Sequence, residues 1–363
     1  MIASASSHDR DWVANAIGRI EADFIRSSDT HLLHAPLPAT PEIALYFKDE
    51  TTHPTGSLKH RLARSLFLYA LCNGRIGPQT VVVEASSGST AVSEAYFAHL
   101  LGLRFIAVMP RSTSAEKVAQ IAFHGGESHF VDAADQMRAE SARLAASLGG
   151  HFMDQFTYAE RATDWRGNNN IAESLFAQMS REPHPIPAWI VVGAGTGGTS
   201  ATIGRYVRYR RLPTRLALAD PVASAFHRRV ADPNVDSYAG PPSVIEGIGR
   251  PCCEPSFLPE LIDAAYPVSD VASLAAARVL SRRINRSCGG STGTNLCAAA
   301  QIISDMRTRG ESGSVASLIC DSGERYRSTH LDTNWLTTKG FDLSPWEEAI
   351  ERFFDTGVWL APG

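Results

Sequence analysis

Long apolar runs are missing from this chain. Its longest fall far short of the roughly 20 residues needed to cross a bilayer, so a membrane-spanning protein is not expected. An excess of positive charge is missing too: the formal net charge is -4 and the pI is near 6.3. Without a broad basic field, the electrostatic footprint of a nucleic-acid binder is absent, and no nucleic-acid partner is expected. The six cysteines, at 72, 252, 253, 288, 297 and 320, have neither the paired spacing of a zinc site nor the density of a disulfide scaffold. They read as free thiols, mostly buried, with no metal. The opening "MIASASSHDRDW" lacks the charged-then-apolar order of a signal peptide, so a cytoplasmic location is expected. No period of about 20 to 50 residues recurs, which argues against a solenoid.

What is present is the material of a globular enzyme. With 363 residues, 44% hydrophobic and 20% charged, the chain can bury a large core as two domains or one elaborate one. Short apolar runs that end in small or turn residues, "VVVEAS" (81–86), "RFIAVMP" (104–110), "WIVVGAG" (189–195), "LALADP" (216–221) and "VASLICDSG" (315–323), fit parallel strands buried on both faces. Between them lie helical patterns such as "STAVSEAYFAHLLG", "SAEKVAQIAFHGG" and "AADQMRAESARLAASLGG", each closing at or near glycine as a C-cap does. The βαβα order predicts an α/β fold, an open, mainly parallel twisted sheet with helices on both faces. The Pro- and Gly-rich stretches 181–188 and 238–256 read as loops, the first as a return from one domain to the other. Near the end, "LSPWEEAIERFFDTGVW" offers Ser344 as N-cap, Pro345 at the first helical position and an amphipathic helix that would dock on a partner or on the core.

Ligands of open α/β sheets bind at the carboxyl ends of strands, which directs attention to two junctions, and a turn that gives way to a helix adds a third. After "WIVV" comes "GAGTGGTSATIGRY", where glycines let the backbone approach a ligand and a helix N-terminus favours a phosphate. It has no Walker lysine and no complete dinucleotide fingerprint, and a ligand-free tight turn is the competing reading. After "VVVE" comes "ASSGSTAVSEAY", whose hydroxyls either add donors to an anion site or simply cap a helix. The third junction is "TTHPTGSLKHRLARSLF". Lys59 stands there in a first helical turn, where the helix dipole disfavours a cation. A lone lysine would ordinarily snorkel to solvent. Together, however, a lysine and two anion-type loops match what an amino acid bound to pyridoxal phosphate requires.

These residues resemble the tryptophan synthase β-like (fold type II) pyridoxal-phosphate enzymes, and within them the cysteine synthase group. "HPTGSLKHR" is similar to that group's lysine motif, which implies Lys59 as the Schiff-base lysine and the catalytic residue. "SSGST" is similar to its substrate-carboxylate loop, implicating Ser86, Ser87, Gly88 and Thr90 in substrate binding and Ser89 beside the cofactor. "GTGGT" resembles its phosphate cup, Gly195, Thr196, Gly197, Gly198 and Thr199, and "GGSTGTN" puts Ser291 opposite the pyridine nitrogen. "DQF" implies Gln155 near the substrate carboxylate, "EGIG" (246–249) places Gly247 in the active-site glycine segment, and "DSGERY" (321–326) is a family-like strand end. The resemblance runs from about residue 40 to 330 with the motifs in order. It implies two open α/β domains with pyridoxal 5'-phosphate in the cleft between them. The expected division is a large cofactor-binding domain of 1–64 and 169–340, a small mobile substrate-loop domain of 65–168, and a helical tail of 341–363. A homodimer acting on a small amino acid is implied as well.

A serine at the ring nitrogen, unlike a carboxylate, leaves that nitrogen largely unprotonated, which suits β-elimination or β-replacement. "SCGGSTGTN" and "IGRPCCEPSF" look closer to the L-cysteine desulfhydrase subgroup than to ordinary cysteine synthases. The expected reaction is therefore α,β-elimination of L-cysteine to sulfide, pyruvate and ammonia by way of aminoacrylate. A cysteine synthase acting on O-acetylserine is the alternative, and a silent relative that binds a metabolite or partner is the reading of a different class. Two departures from the group's pattern bear on the cofactor: His60 follows the lysine where Asp is usual, and Ser89 replaces a common Asn. His60 is read as facing away along the helix rather than tuning the lysine. Cys252 and Cys253 are read as ordinary loop residues, Cys288 as a packed small hydrophobe, Asp321 as a brace for the Ser291 turn and "RRINR" as a solvated helix face.

Overall fold

The computed structural model describes residues 7–27 and 29–362. Ten strands are present among them: β1 (His31–Ala35), β2 (Ile43–Asp49), β3 (Val82–Ala85), β4 (Phe105–Pro110), β5 (Glu127–Val131), β6 (His151–Phe152), β7 (Trp189–Val192), β8 (Arg215–Pro221), β9 (Ala264–Val268) and β10 (Gly313–Ile319). Residues 7–27, 29 and 53–163 form one compact unit, and 30–52 with 164–362 form the other. All five apolar runs singled out in the sequence are strands. Of the remaining strands, β1, β5 and β6 carry polar residues or are too short to stand out, "HLLHA", "ESHFV" and "HF".

The first unit is built on an all-parallel sheet in the order β5-β4-β3-β6. Strand residues alternate between its faces. Val82, Phe105, Ala107 and Met109 join one apolar cluster with Leu66, Phe67 and Leu71 of the helix Lys59–Cys72 and Ala95 and Ala98 of the helix Ser89–Leu101. Val83, Ile106 and Val108 face the other way, against Ala145 and Leu144 of the helix Met137–Ser147. Coverage on both sides explains why the two central strands, β3 and β4, read as apolar runs. The helix Ser89–Leu101 stops where Gly102 turns left-handed at φ 73°, as its glycine signals. The helix Ser7–Ser27 belongs here too, since its Ala16 and Ile20 are buried in the same cluster as Phe67.

The second unit holds a six-stranded sheet in the order β1-β2-β10-β7-β8-β9, parallel except for the β1–β2 pair at its edge. The helix Gly290–Thr308 runs through its core, buried at most of its positions. Its small residues allow a close neighbour: a Cβ on Gly293 would lie 1.8 Å from the carbonyl oxygen of Ser273 on the helix Asp270–Ile284. The C-terminal helix Ser344–Thr356 docks on this core through Ile350, Phe353 and Phe354. Its cap differs from the sequence expectation. Ser344 is already the first helical residue, and its N–H is accepted by the Asp342 carboxylate at 3.0 Å. The loop 181–188 lies within this unit rather than at a passage between units, because the chain crosses at 29/30, 52/53 and 163/164. The cysteines are free as expected but not mostly buried: Cys288 and Cys297 are inside, Cys253 and Cys320 half-buried, Cys72 and Cys252 exposed. No described helix is long and apolar enough to cross a membrane.

Candidate active site

The candidate residues fall in both units, and each unit positions its own set. In the first unit Lys59 opens the helix Lys59–Cys72 at the end of the turn His53–Leu58. Its backbone N–H donates to Ser57 Oγ at 3.2 Å. The chain has only four lysines, at 48, 59, 117 and 339. Lys48 is fully buried and committed to the Thr30 carbonyl and to Gln178 Oε1 at 3.1 and 2.8 Å, and the ammonium of Lys339 sits 5.9 Å from the Trp335 ring. Lys59 is half-exposed at a turn-to-helix junction, in the same unit as the hydroxyl-rich loop.

His60 turns into the core of the unit. It is buried, shares a hydrogen bond with Thr55 Oγ1 at 3.2 Å, packs its ring on Phe97 at 4.8 Å and stacks on His53 at 5.0 Å. Thr55 in turn bonds Ser93 Oγ at 2.9 Å, which ties the lysine turn to the helix Ser89–Leu101. That helix begins from β3 through Ser86, Ser87 and Gly88. Ser86 Oγ accepts from the Gly88 N–H at 3.2 Å, so the loop curls back on itself and directs the first helical N–H groups outward from the strand end. Thr90 is buried and donates to Gln155 Oε1 at 2.8 Å, joining two residues that the sequence places 65 apart. The structure therefore brings Thr90 and Gln155 together. It also shows what sequence reading passed over: Gln155 N–H donates to the carboxylate of Glu84, buried on β3. The only signal in the sequence was an acid inside the run "VVVEAS".

In the second unit, β7 ends at Val192 and the chain turns through Gly193–Gly197 into the helix Gly198–Arg210. Gly197 sits at φ 89°, a conformation open to glycine. The turn is pressed against the segment that contains Gly247. A Cβ on Gly195 would lie 2.1 Å from the Gly247 carbonyl oxygen, one on Gly197 would lie 2.5 Å from Ser256 O, and the Gly249 N–H donates to Ala194 O at 2.8 Å. Thr196 is buried, its Oγ1 near the Gly198 N–H at 3.4 Å. Gly247 itself is exposed at φ 83° with open space where a Cβ would be.

Ser291 lies buried in the first turn of the helix Gly290–Thr308. Asp321 braces that turn as expected: its carbonyl accepts from the Gly289 N–H at 3.1 Å, and its Oδ2 accepts from the Tyr326 hydroxyl at 2.7 Å. Burial and the Asp321 charge keep the Tyr326 phenol well above its usual range, so it donates and does not titrate. Tyr326 also stacks on His330 at 4.5 Å. Burial pushes Cys288 up to about 12, consistent with a packed, inert thiol.

Residues 27–321 match the family described as pyridoxal-phosphate dependent enzymes. The chain belongs to that family. Over 357 residues this pyridoxal-phosphate dependent enzyme is 58% identical to L-cysteine desulfhydrase Cds1 of Mycobacterium tuberculosis, across 97% of either chain. It is 30% identical to a putative cysteine synthase of Sinorhizobium fredii, over 81% of this chain and 86% of the relative. Among solved structures, O-ureido-L-serine synthase superposes with a TM-score of 0.73 at 24% identity, covering 90% of this chain and 98% of that one, a likeness of fold. The residues present fit the cofactor. A glycine turn held down by backbone contact opens into a helix N-terminus, the chemistry a phosphate needs.

Proposed function

We propose that this enzyme is an L-cysteine desulfhydrase, cleaving L-cysteine to sulfide, pyruvate and ammonia with uptake of one water. The observation that carries the reading is 58% identity to a desulfhydrase over 97% of both chains, because insertions or losses large enough to remake a site have no room in that alignment. Bound pyridoxal phosphate supplies an electron sink for breaking bonds at the substrate's Cα and Cβ. The chain's own residues would do the rest. The turn Gly195–Thr199 would hold the phosphate by backbone N–H groups without titrating, and Ser291 would hydrogen-bond the ring nitrogen while leaving it neutral. Ser86, Ser87, Gly88 and Thr90, with Gln155 fixed on Thr90, would bind and orient the substrate carboxylate. Ser89 would border the ring, and Gly247 would leave space beside the substrate. Lys59 would carry the cofactor covalently between turnovers and, once displaced by the substrate amine, take the proton from Cα. The reading extends to a cytoplasmic homodimer, and light scattering checks the oligomer.

A cysteine synthase is the second reading, favoured by the 30% identity to a putative cysteine synthase. The two differ in what becomes of the three-carbon fragment: water consumes it in a desulfhydrase, sulfide in a synthase. Purified enzyme given L-cysteine alone is expected to release sulfide and pyruvate in equal amounts. Given O-acetylserine and sulfide, it is expected to make cysteine more slowly. Faster cysteine synthesis than cysteine breakdown would exchange the two readings.

A further inference from the structure

Two carboxyl groups are buried together in the first unit, on the sheet face that is otherwise apolar. Glu84 occupies the β3 position that shares a face with Val82, and Glu94 stands on the helix Ser89–Leu101 that covers this face. Both are fully buried. A carboxylate without compensation is strongly disfavoured in such a place, so each should have a partner or a proton.

Glu84 is well supplied. Its Oε1 accepts from the Ala85 N–H at 2.6 Å and its Oε2 from the Gln155 N–H at 3.1 Å. These two donors are the residue that leads into the loop 86–90 and the residue that opens the helix Gln155–Ala162. One carboxylate therefore clamps the two segments assigned to the substrate carboxylate, and Thr90 closes the ring by bonding the Gln155 side chain at 2.8 Å. Glu94 has the opposite character. Neither of its buried oxygens has a hydrogen-bond partner, and the charge that bears on it is that of Glu84, on the strand its helix covers. The remaining acid acting on Glu84 is Asp154, which is paired with Arg138 at 3.0 Å.

We propose that Glu94 retains its proton and donates it as a hydrogen bond to Glu84, so that the pair, as positioning residues, keeps Glu84 anionic and holds Gln155 and the loop 86–90 in their substrate-binding arrangement. The direction of the titrations agrees: burial first and Glu84 second lift the Glu94 carboxyl well above the carboxylate range, while burial raises Glu84 to about 7 against the pull of its two N–H donors. The role assigned to the clamped segments rests on the function proposed above, but the shared proton does not.

The test has two arms. Infrared spectra of the purified protein at about pH 8, where ordinary carboxyls are ionised, should show the carbonyl stretch of a protonated carboxyl that Glu94→Gln removes. In steady state, on whichever of L-cysteine or O-acetylserine the wild type consumes, Glu84→Gln and Glu94→Leu should raise KM about tenfold with kcat within about twofold, the loss expected for a charge-assisted hydrogen bond that orients a binding group. Glu94→Gln, which still donates to Glu84, should restore KM to within about twofold. No protonated-carboxyl band in the wild type would overturn the proposal, and that result stands even if a variant fails to fold. So would an unmoved KM in folded Glu84→Gln, or a Glu94→Gln as impaired as Glu94→Leu. Because either substrate serves, a wrong choice of reaction changes which assay is run and not this comparison.

Discussion

At the scale of single residues, the glycines of the second unit make the clearest case for geometry set by absence of a side chain. Gly195 meets the Gly247 carbonyl at a distance that no Cβ tolerates, and the opposing atom is backbone, which cannot rotate away. Gly195→Ala should therefore displace the turn from the 247–257 segment, costing about 3 kcal/mol of the local packing. The expected result is a protein that melts as a folded species yet binds pyridoxal phosphate at least about tenfold more weakly, read by titrating the cofactor's visible absorbance. Unchanged affinity would mean that the turn does not carry the phosphate. The need for glycine at 195 and 197 was legible in the sequence as a ligand-approach pattern, though what it approaches from behind, Gly247 and Ser256, was not. Such contacts join residues about 50 apart, and no local pattern reports them. Glu84 and Glu94 escaped for a related reason. An acid within an apolar run reads as a strand end, and only the fold reveals that its carboxyl is enclosed.

At the scale of elements, the C-terminal helix Ser344–Thr356 separates packing from charge. Its outer side carries a lattice of ion pairs, with Arg282 and Arg283 reaching Glu347, Glu351 and Asp355 at 2.6–3.2 Å. These are largely exposed pairs, each worth about 0–1 kcal/mol and screened by salt. Its inner side buries Ile350, Phe353 and Phe354 in the main core of the second unit. Phe353→Ala should destabilise that unit by about 3–5 kcal/mol. Arg283→Ala should cost less than about 1 kcal/mol. Chemical denaturation curves of the two variants check the order, and a larger loss from the arginine would contradict it. The amphipathic pattern was plain in the sequence, which left open whether a partner or the core received the apolar face. Periodicity shows that a face must be covered without naming the cover. The same limit explains the missed strands: β1 and β5 have exposed, polar positions, so neither gives the unbroken apolar run that marks β7 or β10.

For the whole molecule, the order of motifs was more informative than any one of them. A lysine turn, a hydroxyl loop, a glycine turn and a serine turn are each weak alone, but the chain distributes them over two parallel-sheet units, each at the start of a helix. The strand-end rule for α/β sheets picked out two of these places from sequence, a turn giving way to a helix marked the lysine, and the resemblance supplied the fourth. Where the chain passes between units was not legible, because 29/30, 52/53 and 163/164 carry no composition shift; the boundaries are set by which cores the flanking helices join. The account as a whole depends on one nitrogen, the side-chain amine of Lys59, among only four lysines. Reducing the cofactor-saturated enzyme with borohydride and mapping its peptides should find a pyridoxyl group on Lys59 and none on Lys48, Lys117 or Lys339. A label on any of those three with Lys59 unmodified would contradict the assignment of Lys59 and the mechanism built on it.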